Sequence, residues 1–112
     1  MLSFQKLDVY QRSVEFLALT AEISAATPKG NAELLDQLRR AASSVPLNIA
    51  EACGRTGPAD VARTYAIARG SAMECAAVLD ALKALKVVRE PQYVRGIELL
   101  ERVVAMLTRM CR

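Results

Sequence analysis

Apolar residues recur at intervals of three and four along most of this chain, the period of an amphipathic helix. Three clusters of breakers interrupt that rhythm: "TPKGN" at Thr27–Asn31, "GRTGPAD" at Gly54–Asp60 and "VVREPQ" at Val87–Gln92. They leave four stretches predicted as helices, at about residues 6–26, 32–53, 58–86 and 91–111. In the first, Leu7, Tyr10, Val14, Leu17, Ala18 and Ala21 form the leading stripe, and Val9, Phe16, Leu19 and Ile23 form a second. The next carries Leu34, Leu38, Ala41, Val45, Ile49 and Ala52, with Asn31 as the expected N-cap and Glu33 in the first turn. The third opens on Pro58 and Asp60, and its stripe is Val61, Tyr65, Ala68, Ala72, Cys75, Leu79 and Leu82, widened by Ile67, Val78 and Leu85. In the last, Val94, Ile97, Leu100, Val104, Leu107 and Cys111 make one stripe, and Leu99, Val103, Met106 and Met110 a second.

Four helices of similar length joined by short links predict an all-α, antiparallel up-down-up-down four-helix bundle, one domain over residues 1–112. The first and last helices carry more apolar surface than one buried stripe needs. An identical subunit is the default cover for such surface, so self-association is expected.

Composition supports helices and removes most chemistry. The chain is 53% hydrophobic but only 4% aromatic, with five glycines, which favours closely packed helices over sheets. It contains no histidine, so the commonest general base and the commonest metal ligand are both missing. A di-iron bundle would need Glu-x-x-His motifs and is excluded on that ground. Its three cysteines, Cys53, Cys75 and Cys111, form no Cys-x-x-Cys motif, so zinc and dithiol chemistry are not expected. "GRTGPAD" lacks the lysine and the preceding strand of a phosphate loop. The expectation is a protein that is not an enzyme and uses no metal or cofactor. The N-terminal "MLSFQKLDVYQRS" has no apolar run of a signal peptide, and no stretch reaches the roughly 20 apolar residues of a membrane span, so a cytoplasmic protein without membrane contact is expected.

Within the second helix Arg40, Ser44, Asn48, Glu51 and Arg55 step by four, four, three and four along one stripe. Glu51 and Arg55 can pair at i,i+4. Pro46, inside the same helix, has no amide proton for the carbonyl of Ala42, which predicts a kink with Ser43 or Ser44 supplying a hydroxyl to that carbonyl. A second polar set, Arg69 and Glu74, flanks Gly70 on the third helix. Arg40 and Arg69 are expected to meet Glu51 and Glu74 across the interface of helices two and three, with Gly70 admitting a close helix approach. This seam of Arg40, Ser44, Asn48, Glu51, Arg69 and Glu74 is read as a structural network that sets register. On the last helix Glu98 is expected to pair with Arg102. Arg95, Arg102 and Arg109 repeat every seven residues and Arg112 follows, giving a candidate nucleic-acid strip in a chain of net charge +3.

Together "KLDVYQRS" (Lys6–Ser13), "LLDQLRRAASSVPLNIAEACGR" (Leu34–Arg55) and "YAIARGSAMECAAVLDAL" (Tyr65–Leu82) resemble the four helix bundle protein family, also called the 23S rRNA-intervening-sequence protein family. The resemblance runs in order over essentially the whole chain. Its most specific part is Gln-x-x-Arg-Ala-x-x-Ser-x-Pro-x-Asn-Ile-Ala-Glu followed by Ala-Arg-Gly-Ser-x-x-Glu. It implies a left-handed bundle, assembly into a ring-like homopentamer, and a bacterial cytosolic origin. The family name refers to a genomic location inside rRNA intervening sequences, which makes RNA a candidate partner. A related branch, the accessory proteins of diversity-generating retroelements, acts with a reverse transcriptase and RNA and is usually more basic than this chain. A protein-interaction scaffold without nucleic acid is a further alternative. Ala52 departs from the family pattern, where many relatives have glycine, and is expected to move the turn to Gly54.

Overall fold

The computed structural model describes residues 1–112 and contains four α-helices and no strand: α1 (Asp8–Ala26), α2 (Ala32–Cys53), α3 (Pro58–Ala84) and α4 (Glu90–Met110). A single 3-10 turn, Ser3–Lys6, precedes α1. Links of four or five residues join consecutive helices. Each helix packs on the next and α4 closes onto α1, while the diagonal pairs stay apart at the backbone. That square of neighbours is what an up-down-up-down order requires. The molecule measures 44 × 25 × 20 Å, and α3 alone spans about 40 Å at 1.5 Å per residue.

The helix limits follow local chemistry. Leu7 is extended (φ −70°, ψ 132°), so α1 starts at Asp8 rather than near Lys6, with that carboxylate at the positive end of the helix dipole. Asn31 occupies the N-cap of α2, but its side chain makes no capping hydrogen bond. As expected from Ala52, α2 continues to Cys53 and turns at Gly54. It also runs through the buried Pro46 as one helix. The last turn of α3 ends two residues earlier than the pattern predicts. Lys86 takes a left-handed φ of 61°, and the amides of Lys86 and Val87 donate to the carbonyls of Lys83 and Leu82 at 2.9 and 2.8 Å. This is a Schellman end built on lysine where glycine is usual.

Packing selects between the rival stripes. In α2 and α3 the predicted faces are the observed core: Leu38, Ala41, Val45, Ile49 and Ala52 meet Tyr65, Ala68, Ala72, Cys75, Leu79 and Leu82. Alanines at this contact let the two helices share the most extensive interface in the bundle. In α1 the second set wins. Val9, Phe16, Leu19 and Ile23 are buried together with Ser13 and Thr20, whereas Val14, Ala18 and Ala21 face outward. In α4 the core takes Gly96, Leu99, Leu100, Val103 and Leu107, drawn from both predicted stripes. Ile67 and Leu85, expected to widen the α3 stripe, are exposed.

The close helix approach lies at Gly96, not Gly70. A β-carbon built on Gly96 would sit 2.8 Å from Leu79 Cδ1, with Phe16 and Leu19 also within contact, so α4 reaches α3 and α1 only because a hydrogen stands there. Around Gly70 there is open space.

Candidate functional site

The α2–α3 seam is held by hydroxyls and an amide. Ser44 Oγ lies 2.8 Å from Ser71 Oγ, the one side-chain hydrogen bond joining the middles of these helices. Asn48 Nδ2 donates to both the carbonyl and the hydroxyl of Ser44, at 2.8 and 3.0 Å. The Asn48 amide thus orients the serine that reaches across. Neither serine serves the Ala42 carbonyl near Pro46, because Ser43 Oγ donates to the Arg40 carbonyl and Ser44 is committed to Ser71.

The expected ion pairs across this seam do not form. Arg40 and Arg39 both bond Asp36 on their own helix, Arg40 at 2.8 Å. Glu51 pairs with Arg55 as predicted, and Arg55 reaches on to Asp60 at 3.5 Å. Arg69 and Glu74 engage no opposite charge within a helix or across one. The physical reason is proximity. A guanidinium in solvent takes the carboxylate three or four residues away without desolvation. Bonding to Arg39 and the charge of Arg40 hold Asp36 below its ordinary carboxylate range, and bonding to Arg63 does the same for Asp60. Ser71 carries the contact that was expected of the charges. Its signal in the sequence was a hydroxyl on α3 in the same small-residue run as Gly70.

A second polar seam joins α1 to α4. Arg102 bonds Asp8 at 3.2 Å, Asp8 lies 3.4 Å from Arg12, Arg12 lies 3.1 Å from Glu15, and Glu15 accepts from Arg95 at 2.6 Å. Five side chains of alternating sign thus run down one edge of the bundle. Arg102 therefore pairs across the bundle and not with Glu98. This also alters the basic strip: of its four members, Arg95 and Arg102 are neutralised by α1 carboxylates, and Arg109 and Arg112 hold no carboxylate. The heptad spacing of Arg95 and Arg102 matched the carboxylates Asp8 and Glu15, also seven apart, which is the signal by which the ladder was legible.

Cysteine and tyrosine chemistry is passive here. Cys75 is fully buried, and burial with the nearby Glu74 charge pushes its thiol up to about 12. Tyr65 is pushed up to about 12 by burial and by Cys53, whose Sγ lies 3.3 Å from the phenol oxygen. Low thiolate content makes both poor nucleophiles. No group of three or more His, Cys, Asp or Glu side chains is placed to hold a metal, and no helix is long and apolar enough to cross a membrane.

What remains open on the surface is apolar. Between α1 and α2 lies a groove of about 520 Å³, lined by Val14, Leu17, Ala18, Ala21 and Ser24 with Arg39 at its edge. Between α3 and α4 a second groove, about 350 Å³, is lined by Met73, Ala76, Ile97, Leu100, Val104 and Ala105 with Glu101 at its edge. Val14 is 40% and Met73 53% exposed.

Against this fold, the model of the 23S rRNA-intervening sequence protein family matches residues 5–109. The chain belongs to that family. No curated protein matches it. The match spans all four helices of this family member, the serine–asparagine seam and both open grooves.

Proposed function

We propose that this family member is a non-catalytic helical building block that assembles with itself, as the homopentamer of a bacterial cytosol. The observation that carries the reading is the pair of open apolar grooves, on which half-exposed Val14, Met73 and Ile97 would otherwise stand in water. Large side chains grouped in such patches mark interaction surfaces more often than isolated ones do. The polar seams are better explained as register-setting contacts, since their members satisfy one another. Light scattering on the purified chain tests the reading: assembly predicts an integral multiple of 12.2 kDa, and a monomer at micromolar concentration would refute it.

RNA association is the second reading, favoured by Arg109 and Arg112, which no carboxylate neutralises. In a ring such cations repeat, and repetition turns a weak contact into a multivalent one. Titration of a labelled rRNA fragment across a salt series should show affinity falling steeply with salt. Absence of binding at the lowest salt would sink this reading while leaving assembly untouched.

A further inference from the structure

The two apolar grooves lie on opposite sides of the bundle. One is lined by α1 and α2 and the other by α3 and α4, and in the observed square of neighbours those two pairs are opposite edges. They also differ in relief and in charge. The α1–α2 groove is floored by small residues, Ala18, Ala21 and Ser24, whereas the α3–α4 groove is bordered by the larger Met73, Ile97 and Val104. At the first groove Arg39 and Arg40 share the single carboxylate of Asp36, leaving positive charge, and Arg39 keeps further N–H donors free. Beside the second groove Glu101 and its neighbours Glu98 and Glu74 have no cation bound.

We propose that the α1–α2 groove of one copy receives the α3–α4 face of the next, large side chains seating over the small-residue floor and Arg39 meeting Glu101. The proposal rests on the self-assembly argued above and gives it a direction. Pairing either groove with itself would place Arg39 against Arg39 or Glu101 against Glu101, a like-charge contact that specific interfaces avoid. Unlike faces on opposite sides make a heterologous contact, which repeats from copy to copy and closes into a ring where the rotation permits.

The test uses two variants at exposed helical alanines, where a longer side chain blocks a groove without entering the core. Ala18→Glu closes the first groove and Ala105→Lys the second, with circular dichroism confirming that both keep their helices. Each variant alone should be a 12.2 kDa monomer. Mixed in equal amounts they should form a one-to-one dimer and nothing larger, because each retains the face the other has lost. Wild-type size in either variant overturns the choice of faces, and a mixture that stays monomeric overturns the heterologous contact. A monomeric wild-type chain instead refutes the self-assembly reading itself. Charge exchange is the independent check: Arg39→Glu and Glu101→Arg should each weaken association at least tenfold, and the double variant should restore it. Failure of the double exchange to restore association overturns the Arg39–Glu101 contact.

Discussion

Glycines at positions 70 and 96 have the same side chain inside a helix and opposite roles. At Gly70 a β-carbon meets nothing, so alanine there removes a helix-interior penalty; Gly70→Ala should raise stability by up to ~1 kcal/mol in urea unfolding. At Gly96 the same carbon collides with Leu79 inside the core. Overpacking costs about 1–3 kcal/mol, which exceeds the propensity gain, so Gly96→Ala should unfold at lower urea. Equal shifts of the same sign in the two variants would contradict the packing described. Sequence pattern pointed to the wrong glycine because Gly70 sits in a run of small residues, while Gly96 is flanked by Arg95 and Ile97 and shows no such context. A missing side chain is legible; the neighbour that would strike it belongs to another helix and is not.

Elements differ in how plainly their sequences declare a buried face. Helices α2 and α3 each carry one clear apolar stripe, and those stripes are the core. In α1 two stripes compete, and the winning one includes Ser13 and Thr20. Their hydroxyls donate to the Tyr10 and Leu17 carbonyls at 2.7 and 2.6 Å, so they enter the core already satisfied. A polar letter in the sequence thus hid a buried position. The seam residues show the complementary difficulty. Asn48 and Ser44 were legible as a stripe, but their partner Ser71 was not, because a hydroxyl can bond to its own helix as readily as to another. α3 also gives a pH signature. Cys75 and Tyr65 both have folded-state pKa values raised to about 12 by burial. A raised value means that the unfolded chain loses its proton first. Their contribution is therefore intact below the ordinary thiol range near 8.5 and is lost as pH rises towards about 12. Thermal melts from pH 8 to 11 should show stability falling, with a shallower fall in Cys75→Ala. An unchanged slope would show that the thiol stays free to ionise in the folded state.

At the scale of the molecule, helix count, order and link lengths were legible because turn chemistry and the 3.6-residue period are local properties. Which helices touch is settled by the short links for three of the four contacts. The fourth, α4 on α1, has no link to impose it, and the Arg102–Asp8–Arg12–Glu15–Arg95 ladder and the buried contacts around Gly96 mark it instead. Near the ends of that edge Leu7, Asp8 and Val9 share a small groove with Met106, Arg109 and Met110. The start of α1 therefore lies beside the end of α4, and the helices form a closed cycle in which every neighbouring pair is joined at one end or sits within reach of a join. Cyclic order makes the point of opening arbitrary. A circular permutant in which residues 112 and 1 are bridged by a short glycine-serine linker, and the chain is opened at Lys29–Gly30, should refold to the same bundle with native helix content and a cooperative melt. Loss of cooperativity would mean that the α1–α2 link directs folding rather than merely spanning a gap.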